Sequence, residues 1–208
     1  MNGDDFRPVL AAALRGWATH EETLRELDAA LGDGDLGITV RSGALAAADA
    51  VDAVPVDAGL GAVLAAAGRA FATANPSTFA ALVGGGVMAG AKELPDQAGY
   101  GRDEAVAFGR AVEQRIQQRG KAELGDKTLL DALHPTLEVL AGADGDAAQL
   151  CRMIAAVAHD RVAETAHWES KRGRAGWLGE RSIDKPDAGS SAYALFLDEL
   201  ATALEACS

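Results

Sequence analysis

Three aspartates crowd the stretch LDAALGDGDLGITV at residues 27–40: Asp28, Asp33 and Asp35, with Gly32, Gly34 and Gly37 among them. Carboxylates this close repel one another unless a cation sits between them. Oxygen-only donors select a hard ion such as Mg2+, which is held by a few carboxylates together with water and phosphate oxygens. The glycines permit the sharp reversal that would bring the three side chains around one point. Read as a metal site, the cluster is half of one, with a phosphate as the other half; read as a turn, it is only the Asp and Gly that turns and helix ends favour. An EF-hand is excluded, because the residue twelve along is Ala44 from Asp33 and Thr39 from Asp28, where a bidentate Glu is required. GDGDLG at 32–37 also fits G-x-G-x-x-G, but it follows a helical pattern instead of a strand, and its aspartates would repel a pyrophosphate.

Three further stretches carry groups that could meet a phosphate. NPSTFAALVGGGVMAGAKEL at 75–94 opens with Ser77 and Thr78 at a helix start, where hydroxyls and free N–H groups act either as an ordinary cap or as an anion site. Its triple glycine at 84–86 costs on the order of 1 kcal/mol per residue relative to Ala, so a ligand or a neighbouring helix must approach closely there. RGKAELGDKTLLDALHP at 119–135 places Lys127 and Thr128 in the first turn of a helix beginning at Asp126, and the lysine either neutralises phosphate charge or is merely exposed. KRGRAGWLGERSIDKP at 171–186 holds five basic residues in a chain that is otherwise acidic, which makes it a functional loop or a solvated one. GGVMAGAK is not a P-loop, since Ala91 stands where the lysine belongs. His20, His134, His159 and His167 have no metal-ligand spacing, and no Ser-His-Asp or Cys-His arrangement follows from chain order.

The elements that must position these residues are helical. The chain has 208 residues, 49% hydrophobic but only 5% aromatic, with Ala and Leu dominant, which favours helices over strands. Apolar periodicity against Gly, Pro and Asp punctuation predicts eight helices near 5–30, 36–52, 57–74, 76–94, 102–120, 127–141, 144–170 and 187–206. Asp57, Asn75, Asp126, Asp144 and Asp187 are the expected caps. Connections such as AVPVD, LPDQAGYGR and AGADGD are short, and nothing resembles a linker, so one domain is expected. A net charge of -12 repels nucleic acid and anionic membrane surfaces, so neither is an expected partner; a nucleotide would need local compensation by metal ions, Lys/Arg or helix N-termini. Cys151 and Cys207 are expected to be reduced thiols; with no signal-peptide pattern and no apolar run of membrane-spanning length, a cytoplasmic location is expected.

LDAALGDGDLG, RGKAELGDKT and GRAGWLGERSIDKPDAGSS, in that order and spacing, resemble the nucleotide-binding L subunit of dihydroxyacetone kinase, which is also the C-terminal domain of single-chain dihydroxyacetone kinases. The resemblance runs from about residue 7 to the C-terminus, so that 1–208 reads as one such domain. It implies an all-α, eight-helix antiparallel barrel with ADP or ATP at one end, its phosphates held through a pair of Mg2+ ions on Asp28, Asp33 and Asp35. By the same resemblance the nucleotide-contacting positions fall on Leu36, Gly37, Ile38 and Thr39, Ser77 and Thr78, Gly120, Leu129, Arg174, and Asp187, Ala188 and Gly189, with the basic loop as a lid. Leu36 stands where the family usually has a histidine, STFAALVG replaces its Ser/Gly-rich helix start, and DKPDAG at 184–189 replaces Gly-His-x-Asp-Pro-Gly. These departures make this a divergent member and touch the nucleotide-contacting stretches themselves.

The implied activity is phosphoryl transfer to dihydroxyacetone or a related small keto sugar held by a separate K-type subunit. The donor is either exchangeable ATP or a resident ADP rephosphorylated by an M-type subunit of a phosphotransferase system. The alternative is a nucleotide-binding regulatory subunit without catalysis, a role that would not require the chain to tolerate three mutually repelling aspartates.

Overall fold

The computed structural model describes residues 3–94 and 99–207, and the connection LPDQAGYGR lies partly outside them, at 95–98. Among the described residues there are nine α-helices and no strand: α1 (Gly3–Trp17), α2 (Glu21–Ala29), α3 (Leu36–Ala53), α4 (Leu60–Ala74), α5 (Thr78–Gly90), α6 (Arg102–Gly120), α7 (Leu129–Gly142), α8 (Ala147–Ala166) and α9 (Ala188–Ala206). The all-α class expected from composition is the one that forms. The expected first helix, 5–30, is divided into α1 and α2 by a 3-10 turn at Ala18–His20. There the Thr19 hydroxyl donates to the Gly16 carbonyl at 2.7 Å, a local bond that competes with continuation of the α-helix.

From α3 to α9 each helix packs on the next, and α1 closes the ring by packing on both α3 and α9. The α2–α3, α4–α5, α6–α7 and α8–α9 junctions gather at one end of the ring: Arg174 after α8 reaches Asp33 before α3, the Asn75 amide after α4 donates to Thr39 of α3, and the Ser190 hydroxyl of α9 donates to the Thr128 carbonyl before α7. The core at its centre is pinned by Trp17, whose ring stacks on Phe71 of α4 at 5.4 Å and meets Phe196 of α9 edge-on at 5.3 Å. Its indole N–H donates to the Ala192 carbonyl at 2.8 Å, so the one polar atom of this buried ring is satisfied. Phe71 in turn meets Phe79, at the start of α5, edge to face.

The triple glycine is explained by helix packing. A Cβ on Gly84 would clash with the Gly68 carbonyl and with Ala72 of α4, and one on Gly86 would crowd Val112 and Ile116 of α6; Gly85 alone has room. α5 thus approaches two helices at near-backbone distance.

Four of the five expected caps are displaced. Asp187 caps α9 as expected, accepting from the Ser190 N–H at 2.7 Å. The N-cap of α4 is Gly59, that of α5 is Ser77, that of α7 is Thr128 and that of α8 is Asp146, each two residues beyond the expected position. For α7 and α8 the reason is a capping box: Thr128 pairs reciprocally with Asp131, and Asp146 with Gln149, satisfying two orphan donors where Asp126 or Asp144 would satisfy one. The expected helix at 144–170 stops at Ala166, and 167–187 forms a long connection containing a 3-10 segment at Ala175–Ser182.

Candidate functional site

The acidic turn is assembled as its residue types suggest. Asp28 lies in the last turn of α2, Gly34 takes a left-handed backbone conformation (φ 74°), and Asp35 occupies the N-cap position of α3 without using its side chain as a cap. Gly37 lets α3 press onto α2, since a Cβ there would meet the Glu21 carbonyl. Asp28 is oriented by the Leu36 N–H, which donates to its Oδ2 at 3.3 Å. One carboxylate oxygen each from Asp28, Asp33 and Asp35 lies within 4.8 Å of the others, the separation at which three oxygens can share a cation. Burial, followed by the charge of Asp28, pushes the Asp35 carboxyl up from its ordinary value. An oxygen-only set under mutual repulsion fits a hard divalent ion; a soft metal would want sulfur or imidazole.

The basic loop, which leads into α9, reaches this turn across the α2–α9 contact. Arg174 pairs closely with Asp33 and lies 3.5 Å from Asp35, and Lys185 donates to the Ala30 carbonyl at 3.2 Å. Arg174, Asp33 and Asp35 are each about half exposed (52%, 52% and 49%), so the pairing is screened by solvent, worth on the order of 0–1 kcal/mol, and readily released. Trp177, next along the loop, is 84% exposed.

The remaining positions named from the resemblance come to the same end of the ring. Leu36 is buried in the core and Gly37 against α2, so of the first turn of α3 only Ile38 presents its side chain outward, while Thr39 is buried and accepts from the Asn75 amide at 3.2 Å. Ser77 and Thr78 begin α5, and Ser77 makes no side-chain cap bond. Gly120 ends α6 against Leu82 of α5, and Leu129 opens α7. Gly189 faces the Phe79 ring, and the Ser190 hydroxyl donates to the Thr128 carbonyl at 2.9 Å, joining the starts of α5, α7 and α9. Asp187 is pushed up by burial, with the Ser190 hydrogen bonds opposing.

Lys127 departs from expectation. It precedes α7 in a left-handed conformation (φ 58°), its side chain is buried, and its ammonium donates to the carbonyls of Ala166, Trp168 and Ser182 at 2.9, 2.9 and 2.7 Å. An ammonium has three protons, and all are committed, so none remains for a phosphate. Burial holds its pKa below the usual lysine range against the opposing pull of Asp187 and Asp184. Asp126, expected as a cap, instead accepts from the Glu123 N–H at 3.0 Å and from Arg172 at 2.7 Å. Burial pushes the Asp126 carboxyl up, but Arg172 and the Glu123 N–H outweigh it and hold it low. The supporting roles of Asp126 and Arg172 were missed in the sequence; the Thr128-x-x-Asp131 spacing, which frees Asp126 from capping, was the available signal.

The sequence profile of the DAK2 domain matches residues 30–202, taking in Asp33 and Asp35 and beginning just after Asp28. The chain belongs to the DAK2-domain family. Within that family it is 36% identical over 185 residues to L-erythrulose 1-kinase of Mycolicibacterium smegmatis, covering 88% of this chain and 32% of that one. It is 32% identical over 170 residues to the ADP-binding subunit DhaL of PEP-dependent dihydroxyacetone kinase 2 from Listeria innocua, covering 80% of this chain and 79% of the relative. The chain therefore spans about a third of the length of the erythrulose kinases and most of the length of the free-standing subunit. The DAK2 fold of this chain superposes on dihydroxyacetone kinase of C. freundii with a TM-score of 0.74 at 22% identity, over 94% of this chain and 34% of that one. It superposes on the same kinase in complex with AMP-PNP and Mg2+ with a TM-score of 0.72.

Proposed function

We propose that this chain, read as one DAK2 domain over 1–208, is the nucleotide-binding component of a kinase for a small keto sugar of the dihydroxyacetone class. The observation that carries the reading is the convergence of Asp28, Asp33 and Asp35 beneath Arg174 at the end of the ring where four helix junctions meet. Asp28, Asp33 and Asp35 would hold a pair of Mg2+ ions. When bound, Mg2+ supplies screening between the carboxylates and the nucleotide phosphates and stabilises charge on the transferring phosphoryl group.

The chain's own residues account for the rest of the binding. The Leu36 N–H fixes Asp28, and the N-terminal end of α3 places its positive dipole behind the acidic turn. At Ser77 and Thr78 the first turn of α5 has N–H groups not taken by a side-chain cap, a ready anion site. Ile38, Gly120, Leu129 and Asp187 to Gly189 would line the remaining walls, with Leu36, Gly37 and Thr39 buried beneath them, and Arg174 offers a guanidinium fork suited to phosphate oxygens once it leaves Asp33. The sugar, and the base that takes its hydroxyl proton, belong in this reading to a K-type subunit or domain. The supporting fact is that the erythrulose kinases extend to about three times the matched length.

Thermal unfolding with ADP, ATP and Mg2+ in combination tests the reading on the native chain and on Asp33→Asn. Ligand at about 100 times its Kd stabilises by about 2.7 kcal/mol, or roughly 5–10 °C for a domain of this size. The expected rise requires nucleotide and Mg2+ together and is lost in Asp33→Asn; no rise in the native chain would overturn the reading. Retention of ADP through gel filtration would favour a resident cofactor served by an M-type subunit, and turnover with ATP and the K-type partner alone would favour an exchangeable donor.

A further inference from the structure

Lys127 takes no part in the function proposed above, yet it is the largest of the most deeply buried side chains, and its three acceptors come from two separate places in the chain, Ala166 with Trp168 and then Ser182. Ala166 closes α8, Trp168 lies near the start of the connection that follows, and Ser182 closes the 3-10 segment that precedes the last stretch leading to α9. A single ammonium thus ties both ends of the Arg174 loop to the α6–α7 junction. The residue before it adds to the hold, with the Asp126 carboxylate on Arg172 and its carbonyl accepting from the Lys171 N–H at 3.1 Å. Inside the loop the Ser182 hydroxyl accepts from the Ser170 N–H at 2.8 Å, and the Asp184 N–H donates to Ala166 at 2.8 Å. The left-handed backbone at Lys127 is one that such surroundings must impose on a residue other than glycine.

We propose that Lys127 is a positioning residue: its ammonium fastens the 167–187 loop so that Arg174 stands over Asp33 and Asp35, where the nucleotide phosphates are to be met. The part played by Arg174 rests on the functional reading above; the fastening does not. Lys127 touches neither nucleotide nor metal and acts only through the loop.

Two measurements without nucleotide test the fastening. Acetylation of the native chain followed by mass spectrometry should leave Lys127 unmodified while exposed Lys92, Lys121 and Lys171 react; modification of Lys127 at their rate would overturn the proposal. In Lys127→Met, brief trypsin treatment at a temperature where circular dichroism shows native helix content should cut after Arg172, Arg174 and Arg181 several-fold faster than in the native chain. Unchanged cutting would also overturn it, and if the variant does not fold, the acetylation result decides alone.

A third measurement separates positioning from plain stability. Mg2+-ADP affinity should fall about tenfold in Lys127→Met and in Arg174→Ala, as expected for losing one charge-assisted contact, and fall little further in the double variant. Additive losses would mean that Lys127 does not act through Arg174. Absence of Mg2+-ADP binding by the native chain would defeat the functional reading while leaving acetylation and proteolysis to decide the fastening.

Discussion

At the scale of single residues, the two cysteines show how burial separates chemically identical groups. Cys151 is buried between α8 and α9, its thiol donating to the Leu197 carbonyl at 3.5 Å, and burial pushes its pKa from 9.0 up to about 12; Cys207 is exposed. At pH 8 a thiol reagent should therefore label Cys207 rapidly and Cys151 only after denaturation, and fast labelling of both in the folded chain would contradict the burial. The sign of the linkage follows. Above pH 9 the unfolded chain releases this proton while the folded chain keeps it, so stability is lost as pH rises from 9 towards 12, at about 1.4 kcal/mol per unit. Urea midpoints between pH 8 and 10 should fall less steeply in Cys151→Ala. The same lesson applies to Lys127, whose type suggested a phosphate partner and whose surroundings had already used every proton.

At the scale of elements, the glycines of α5 make opposite predictions at adjacent positions. Gly84→Ala would drive a methyl into the Gly68 carbonyl and force α4 from α5, with a loss of roughly 1–3 kcal/mol typical of overpacking. Gly85→Ala meets nothing nearer than Arg115 Nε at 4.0 Å and should gain roughly 0.5–1 kcal/mol from helix propensity. Denaturant unfolding of the two variants checks both signs; a loss at Gly85 as large as at Gly84 would show that α5 is crowded on every side. Helix positions were legible in the sequence because Ala/Leu periodicity and Gly/Pro punctuation mark them. Helix starts were legible less well. At Asp126 and Asp144 a competent capping residue lies two positions before a better reciprocal pair, and only the geometry of the first turn chooses between them.

At the scale of the whole molecule, Trp17 joins the segment before α2 to α4 and α9 and so holds the ring closed around its scarce aromatic residues. Trp17→Ala should lose roughly 3–5 kcal/mol of stability, whereas Trp177→Ala, on the exposed loop, should stay within about 0.5 kcal/mol of the native chain. Urea denaturation of the pair checks this, and equal effects would mean that the loop, not the ring centre, carries the stability. The net charge of -12 is a property of the same scale. It leaves the Arg174 loop as a local exception, set where acidic side chains converge.

Residue type and local spacing by themselves determined the all-helical class, the acidic turn, the basic loop and the membership that the motifs suggested. Each depends on interactions within a few residues along the chain: helix propensity, the conformational freedom of glycine, and carboxylates held a few positions apart. Tertiary structure alone decided that the triple glycine serves helix contact, that Arg174 meets Asp33 from 141 residues away, and that Lys127 binds three carbonyls and not a phosphate. Those outcomes turn on which groups are brought together when helices close into a ring, and burial and hydrogen-bond saturation are properties of that assembled neighbourhood.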